Sequence, residues 1–331
     1  MIHKFYLNGF YIVLDVNSGA VHVVDQLSYE LLDGLEAPLP ANCPQKIAER
    51  LQGTYSDAEI QEAYAELYSL YQNGFLFSSD DYEPFAAQMG PAPVKSMCLN
   101  IAHDCNLRCS YCFAAQGDFG HGRKLMPFEV GKAAIDFLIE HSANRHNLEL
   151  DFFGGEPLMN FEVVKQVVAY ARSIEKEHHK NFRFTITTNG LLLTDDKIDY
   201  INREMSNVVL SIDGRKEIND SLRFRVDGSG SYGAIVPKYQ RLVEKRRNGK
   251  FDQYYVRGTF TKKNLDFTKD VIHMRELGFD QISIEPVVAD PELLPIALTE
   301  EDLPRIYEEY ENLAREIIQR KKRGDAFNFF H

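Results

Sequence analysis

The first eighty residues alternate short apolar stretches with turn residues and then change to a helical spacing. Three strand-like stretches lie within 3–25 and are separated by Asn-Gly and Asn-Ser-Gly turns, which predicts short antiparallel strands. Three helical patterns follow, and the last begins at Ser56, where Glu59 completes a capping box. Three strands followed by three helices predict a small winged-helix-like α+β domain over 1–80.

From Met97 onward, apolar strand-like runs alternate with amphipathic helical stretches. The runs are rich in Val, Ile, Phe and Leu, as is typical of buried parallel strands. Six β/α units predict an α/β fold over 96–331, a partial (β/α)6 TIM-like barrel, joined to the first domain by a linker at 81–95. In barrels of this kind the chemistry takes place at the C-terminal ends of the strands. The predicted strands lie at 97–102, 148–155, 182–190, 207–214, 254–263 and 281–288.

Composition narrows the class of protein. The chain has 331 residues, of which 44% are hydrophobic and 26% charged, as in ordinary globular proteins with a large core. Its formal net charge of −12 argues against a nucleic-acid partner, because such partners favour a basic surface. No apolar run approaches the ~20 residues of a membrane span, and the N-terminus lacks the apolar core of a signal peptide. We therefore expect a cytoplasmic protein without a membrane partner.

Three of the five cysteines are clustered. Cys105, Cys109 and Cys112 stand at the spacing C-x3-C-x2-C, directly after the first strand of the predicted barrel. A structural zinc site needs four ligands, so a zinc interpretation requires a nearby histidine to complete the set. Three thiolates would alternatively hold a four-iron cluster with one iron open to a ligand. We expect Cys43 and Cys98 to take no part, with Cys98 packed in the first barrel strand as a small hydrophobic residue.

The spacing C-x3-C-x-aromatic-C, with Tyr111 before the last cysteine, resembles the signature of radical S-adenosylmethionine (SAM) enzymes. The resemblance implies a [4Fe-4S] cluster on Cys105, Cys109 and Cys112, with SAM bound at the open iron. It also implies that a low-potential electron donor reduces the cluster, and that SAM is cleaved to methionine and a 5′-deoxyadenosyl radical, which abstracts hydrogen from the substrate. Tyr111 is expected near the adenine, mainly through its backbone.

Motifs at the next two strand ends fit this resemblance. The second strand is followed by Gly154-Gly155-Glu156-Pro157, a segment that in the family holds the amino group of the SAM methionine. Glycines permit a close backbone approach, and carbonyls with a carboxylate suit an ammonium group. A tight strand-to-helix turn is the alternative interpretation of the motif. The third strand ends in Thr-Thr-Asn-Gly at 187–190, to which we assign no role.

Further polar residues follow the later strands. Ser211 and Asp213 are two residues apart in the fourth strand, so their side chains are expected on the same side of it. The resemblance assigns them to the ribose or carboxylate of SAM, and strand-end capping is the alternative. Arg223 and Arg257 are candidates to neutralise the SAM carboxylate, or else form structural ion pairs. Glu285, after the sixth strand, is expected near the adenine or the substrate.

The N-terminal module resembles the peptide-recognition domain of enzymes that modify ribosomally made peptides. In that family a leader peptide adds as an extra strand to an exposed sheet edge, where main-chain hydrogen bonds give affinity. The resemblance places this edge at about 20–25, beside the helix at 57–72. A capping domain without a ligand is the alternative, and the acidic composition disfavours a DNA-binding winged helix.

The whole chain resembles radical SAM peptide maturases. The segments LDVNSGAVHVVD, GDFG and SIDG resemble the maturases of SCIFF peptides, which are small cysteine-rich precursors. The resemblance implies a thioether between a cysteine sulfur and the α-carbon of another residue. Those relatives carry a C-terminal SPASM domain with auxiliary clusters, which this chain is expected to lack. The alternatives are a sulfatase-maturase-like enzyme that oxidises a protein Ser or Cys, and an iron–sulfur electron-transfer or scaffold protein.

Overall fold

The computed structural model describes residues 1–90, 92–289 and 295–330. The chain divides into two compact units, Met1–Ala92 and Pro93–His331. The segment predicted as a linker, 81–95, contains a short helix in the structure, and its residue 91 lies outside the described residues. Among the described helices, none combines the length and the apolar character needed to cross a membrane.

The first unit is a three-stranded antiparallel sheet with four helices. Its strands are β1 (Ile2–Leu7), β2 (Phe10–Asp15) and β3 (Val21–Val24), and its helices are α1 (Gln26–Leu31), α2 (Gln45–Leu51), α3 (Asp57–Gln72) and α4 (Tyr82–Ala86). The predicted capping box at the start of α3 is confirmed, since the Glu59 carboxylate accepts the Ser56 backbone N–H at 2.8 Å. The strand order is β1-β2-β3, so β3 is an outer strand of this sheet.

A buried carboxylate ties the end of β2 to the segment after α3. Asp15 accepts hydrogen bonds from the backbone N–H of Ser78 at 3.0 Å and of Ser18 at 2.9 Å, and also from both hydroxyls. Burial alone would raise the pKa of Asp15, but these donors outweigh it and lower the pKa to about 2. Asp15 therefore stabilises the first unit only while it is ionised.

The second unit contains the predicted barrel. The six predicted strands are confirmed as β4 (Ser96–His103), β7 (Asn147–Gly154), β8 (Asn181–Thr188), β9 (Met205–Ser211), β11 (Tyr255–Phe260) and β12 (Gln281–Pro286). They are parallel and adjacent in the order β12-β11-β9-β8-β7-β4. Two short strands, β6 (Lys124–Leu125) and β13 (Asn328–Phe329), extend the two sides of this sheet. The helices between and after them are α5 (Phe128–His141), α6 (Phe161–Ile174), α7 (Asp195–Glu204), α8 (Lys216–Leu222), α9 (Tyr232–Arg247), α10 (Thr268–Glu276) and α11 (Leu303–Lys322).

One face of the parallel sheet is closed by helices and the other stays open. Along β7, Leu150 and Phe152 are fully buried against the helices, whereas Asp151 between them is exposed. The same alternation in β4 leaves Cys98 exposed beside buried Leu99. The prediction that Cys98 is packed was therefore wrong, because the sheet is a partial barrel and one face of its first strand is uncovered.

The sequence pattern missed a short two-stranded ladder. β5 (Leu107–Cys109) pairs antiparallel with β10 (Arg223–Arg225), and Arg223 lies directly opposite Cys109. Each strand has only three residues, too few to show a period of two. The ladder joins the segment that carries Cys105, Cys109 and Cys112, hereafter the cysteine segment, to the chain after α8. The two parts are more than a hundred residues apart in sequence.

Candidate functional site

The C-terminal ends of β7, β8, β9, β11 and β12, together with the cysteine-bearing segment after β4, surround one cavity of about 480 Å³. Its volume lies within the range of about 300–1,000 Å³ that is usual for small-molecule sites. Eleven of the thirteen residues predicted to act in or near the site line it, while Pro157 and Asp213 are buried and do not. The eleven are Cys105, Cys109, Tyr111, Cys112, Gly154, Gly155, Glu156, Ser211, Arg223, Arg257 and Glu285.

The cysteine segment leaves β4 and forms one wall of the cavity. Cys105, Cys109 and Cys112 carry free thiols and are each partly exposed. The backbone holds the segment in place through Cys112 N–H to Cys109 O at 3.2 Å and Ser110 N–H to Leu222 O at 2.9 Å. Within the described ranges, no three His, Cys, Asp or Glu side chains are gathered around a point that would hold a single metal ion.

The sulfur of Cys105 already accepts hydrogen bonds. Its donors are the Leu107 N–H at 3.4 Å and the side-chain amide of Asn189 at 3.6 Å, and the same amide also donates to Asn106 at 2.8 Å. Asn189 belongs to the Thr-Thr-Asn-Gly segment that the sequence placed at the end of the third barrel strand without a role. Donors of this kind stabilise negative charge on a ligand sulfur.

Burial disfavours ionisation of the thiols in the absence of a metal. Desolvation raises the pKa of Cys109 to about 12, although the charge of Arg223 opposes the shift. Desolvation likewise raises the pKa of Cys105, and the Leu107 N–H lowers it by a smaller amount. Thiolates are the form that binds metal, so cations at this site would have to supply the stabilisation that solvent does not.

The two glycines of the Gly-Gly-Glu-Pro motif lie against the start of the cysteine segment. Gly155 N–H donates to Ala102 O at 2.8 Å, and Glu156 N–H donates to Asp104 O at 2.9 Å. Gly154 has a φ of +120°, and a Cβ there would lie 2.5 Å from Ala102 O. A Cβ on Gly155 would collide with Asp104 O. The motif needs glycines because two backbone segments of the site meet there.

The carboxylate of Glu156 is fully buried and satisfied by the chain itself. It accepts hydrogen bonds from the Thr188 hydroxyl at 2.7 Å, from Asn189 N–H at 2.8 Å and from Leu158 N–H at 3.0 Å. Burial raises its pKa, and these donors partly offset the rise. This carboxylate was predicted to be a partner for an ammonium group, whereas its hydrogen bonds in the structure connect the ends of β7 and β8.

The Asp213 carboxylate also has its hydrogen-bond partners within the protein. It is fully buried and receives the Thr259 N–H at 3.1 Å, and the Tyr111 hydroxyl lies 2.7 and 2.9 Å from its two oxygens. Burial raises its pKa and the charge of Arg223 lowers it. Ser211, by contrast, lies on the cavity wall. β9 ends at Ser211, so Asp213 lies beyond the regular strand, where it is bonded to the Tyr111 hydroxyl and does not line the cavity.

The two candidate arginines have different surroundings. Arg223 is buried, donates from Nη1 to the Tyr111 hydroxyl at 2.7 Å and lies 4.0 Å from Asp213. Arg257 is half exposed and forms an ion pair with Glu285 on the neighbouring strand. Both side chains line the cavity, as does Glu285.

Sequence reasoning missed the apolar residues of the cavity wall, of which Phe113 is an exposed example. Phe113 directly follows the last cysteine, is 77% exposed, and lies near the rings of Phe119 and Phe153 with centroid distances of 6.2 and 6.3 Å. Nothing in the periodicity of so short a segment distinguishes it from a core residue.

Comparisons with known proteins identify a family for this chain. The family model described as Radical SAM superfamily matches residues 99–271, more than half of the chain. The cysteine-type anaerobic sulfatase-maturating enzyme of Clostridium novyi is 25% identical over 228 residues, covering 66% of this chain and 59% of that enzyme. The radical SAM cyclopropyl synthase TigE of Paramaledivibacter caminithermalis is 28% identical over 184 residues, covering 52% of this chain and 38% of that one. An uncharacterized protein of Methanocaldococcus jannaschii, MJ0907, is 33% identical over 138 residues, covering 42% and 45%.

Solved structures show a similar fold. Native anSMEcpe with bound AdoMet and Cp18Cys peptide aligns with a TM-score of 0.59 at 19% identity, covering 72% of this chain and 63% of that one. Tagged anSMEcpe with bound AdoMet aligns with a TM-score of 0.61 at 18% identity over the same shares. The chain thus spans between 38% and 59% of the length of the three curated relatives.

Proposed function

The chain belongs to the radical SAM superfamily, enzymes that use a [4Fe-4S] cluster and S-adenosylmethionine, and we propose that it modifies a ribosomally made, cysteine-rich peptide. In this proposal it forms a thioether between a cysteine sulfur and an α-carbon, as SCIFF maturases do. The observation that carries the proposal is one cavity lined by the three cysteines and by the Gly-Gly-Glu-Pro motif.

The proposal assigns the cluster to Cys105, Cys109 and Cys112. Three thiolate ligands leave one iron without a protein ligand, where SAM can bind. When bound, the cluster and SAM supply a 5′-deoxyadenosyl radical, and the protein contributes position and the exclusion of water. The Asn189 and Leu107 donors on Cys105 fit a sulfur that carries negative charge.

The remaining cavity residues are proposed to hold SAM. The backbone at 154–155, rather than the buried carboxylate of Glu156, is available to the methionine amino group, because that carboxylate is already bonded to three donors. Ser211 can bond a ribose hydroxyl directly, whereas Asp213 acts by orienting Tyr111. The methionine carboxylate is assigned to Arg223 or Arg257, the two cations on the cavity wall.

The first unit is proposed to bind the leader of the peptide. β3 is the outer strand of its sheet, and its Val21 and Val23 side chains are 64% and 66% exposed. An extended peptide can pair with such an edge through main-chain hydrogen bonds, while exposed alternate side chains contact it on one face. The anSMEcpe structure, which shares this fold, contains a bound peptide. That likeness of fold supports the proposal of a peptide substrate.

Joining a sulfur to an α-carbon removes two hydrogen atoms from the peptide. The carbon–hydrogen and sulfur–hydrogen bonds break and a carbon–sulfur bond forms. SAM, when bound, would supply the group that takes one hydrogen atom; the thiol would lose a proton, and one electron would pass to an external acceptor of the iron–sulfur class. The half-exposed Glu285 is a carboxylate on the cavity wall that can receive such a proton.

Anaerobic co-expression tests this proposal. The chain is produced together with a library of short cysteine-rich peptides as candidate precursors, and the peptides are analysed by mass spectrometry. A thioether lowers the peptide mass by two hydrogen atoms for each cross-link and protects that cysteine from alkylation by iodoacetamide. If the co-expressed peptides stay unmodified although the purified and reconstituted enzyme cleaves SAM, the thioether activity would be contradicted.

The exposed edge of β3 is tested separately. We expect V21K/V23K to weaken binding of a modified precursor peptide at least tenfold, because lysines on an edge strand oppose the addition of another strand. SAM cleavage in the second unit should be unchanged. V16K is the matched control, since Val16 is 48% exposed but lies outside the strands of the sheet. Equal peptide affinity for V21K/V23K and V16K would exclude this edge as the leader site.

A sulfatase-maturase-like activity is the second candidate, and the similarity to the Clostridium novyi enzyme favours it. Such an enzyme oxidises a protein Ser or Cys to an aldehyde. The two products are distinguishable in one experiment, because a hydrazide probe labels an aldehyde and does not label a thioether.

A further inference from the structure

Arg223 is a buried cation whose hydrogen-bonding capacity is only partly used. The residue is 8% exposed, and its guanidinium carries five N–H donors. Nη1 donates to the Tyr111 hydroxyl at 2.7 Å. Nε is buried and has no hydrogen-bond partner among the described residues. A buried donor without a partner calls for an explanation, and a role at a functional site is one of the recognised ones.

The backbone of Arg223 is fixed against the cysteine segment. β10 pairs with β5 so that Arg223 lies opposite Cys109, and Ser110 N–H donates to Leu222 O at 2.9 Å. The side chain lines the same cavity as the three thiols. The Tyr111 hydroxyl, itself bonded to Asp213, prevents the guanidinium from turning away.

The other charged side chains nearby have partners in the chain, and among them Arg108 donates from Nη1 to the carbonyls of Cys105 and Leu107 at 2.7 Å. Asp104, at the start of the cysteine segment, lies 3.3 Å from Arg123, and the Glu156 carboxylate is held by neutral donors of the chain. Asp213 lies 4.0 Å from Arg223 and depends on it for compensation. If Arg223 lost its charge, a buried carboxylate would remain beside the cysteine segment without a cation.

We propose that Arg223 is a positioning residue that sets the reduction potential of the cluster. This inference rests on the proposed assignment of the cluster to Cys105, Cys109 and Cys112. Reduction adds one electron, and a fixed buried cation stabilises the reduced form with little screening by salt. Arg223 therefore makes the cluster easier to reduce, and its link to Tyr111 and Asp213 keeps the cation at a constant distance.

The test is a redox titration of the reconstituted protein, in which the EPR signal of the reduced cluster is monitored at each potential. It is done without SAM, so that a change in SAM binding does not enter. Iron is counted in each sample. R223Q removes the charge and R223K keeps it. R225Q is the matched control, because Arg225 lies two residues further along the same strand and also has a buried Nε without a partner among the described residues, but it lies outside the cavity lining.

At the midpoint potential of the parent, we expect R223Q to retain four irons and to show about a tenfold excess of oxidised cluster. For a one-electron couple this corresponds to a midpoint about 59 mV more negative. R223K and R225Q should stay at the parental potential. An R223Q protein with four irons and the parental midpoint would overturn the proposal, as would an equal shift in R223K.

If R223Q binds less iron than the parent, the test rests on R223K. The proposal requires R223K to have the parental iron content and the parental midpoint potential, and a deviation in either would overturn it. Failure of the underlying cluster assignment gives a different result. In that case a Cys109→Ala protein would bind as much iron as the parent, whatever the potential of the Arg223 variants.

Discussion

The close approach between the glycine motif and the cysteine segment makes a sharp prediction for Gly154→Ala. The substitution places a methyl group 2.5 Å from Ala102 O and 3.2 Å from Ala102 N. Both contacts are to backbone atoms of β4, which cannot rotate away. The residue would also have to keep a φ of +120°, which disfavours any side chain.

The expected cost has two parts. A non-glycine residue in a sparsely populated backbone region costs about 1–3 kcal/mol. Forcing an extra methyl group into a packed site costs about 1–3 kcal/mol more. The total is about 2–6 kcal/mol, a large share of the usual 5–15 kcal/mol of a native protein. Any relaxation that relieves the contact displaces Ala102 and therefore the cysteine segment that follows it.

Two other glycines separate these parts. Gly228 has a φ of +81° but no atom within 4 Å of a Cβ, so Gly228→Ala tests the backbone strain alone. Gly233, in α9, has open space and no positive φ, so Gly233→Ala should be neutral or stabilise by up to about 1 kcal/mol. Urea unfolding of the iron-free proteins gives the free energies, and iron content after reconstitution reports on the cysteine segment. If Gly154→Ala were no less stable than Gly228→Ala and bound full iron, the reasoning would be refuted.

Two buried carboxylates give further predictions. The pKa of Asp15, lowered from 3.8 to about 2, makes the ionised form worth about 2 kcal/mol above pH 4, and this stability should be lost as the pH falls from 4 to 2. Asp15→Asn should therefore lower stability at pH 7 and flatten that acid dependence in chemical unfolding, whereas an unchanged acid profile would show that the bonds to Ser78 and Ser18 contribute nothing. Glu156→Gln should cost about 1–3 kcal/mol, because the amide NH2 meets a donor such as Asn189 N–H where the carboxylate accepted it; stability equal to the parent would mean that the carboxylate is already protonated.

Much of the fold follows from local pattern. Each of the six parallel strands is a run of apolar residues followed by a helix with one apolar face, and both periods are visible in a single sequence. The cysteine spacing and the glycine motif were also visible, because their residues are close together in the chain. The structure adds that both belong to one cavity, held together by the hydrogen bonds Gly155 N–H to Ala102 O and Glu156 N–H to Asp104 O.

The parts that could not be predicted depend on contacts between distant residues. Arg223 reaches the site through a three-residue ladder. Its role depends on contacts with Tyr111, which is distant in sequence, and through Tyr111 with Asp213, and no local pattern predicts these contacts. The exposure of Cys98 depends on which face of the sheet the helices cover. A motif identifies residue types, but burial and hydrogen-bond partners decide whether a carboxylate such as Glu156 faces a ligand or the chain.

The most direct test of the central claim is SAM cleavage by the reconstituted protein. The chain is loaded anaerobically with iron and sulfide, reduced with dithionite and incubated with SAM, and 5′-deoxyadenosine is measured by liquid chromatography. The account predicts 5′-deoxyadenosine from the parent, and neither a four-iron cluster nor product from Cys109→Ala. A parent that binds no cluster, or a Cys109→Ala protein that keeps four irons and cleaves SAM at the parental rate, would contradict it.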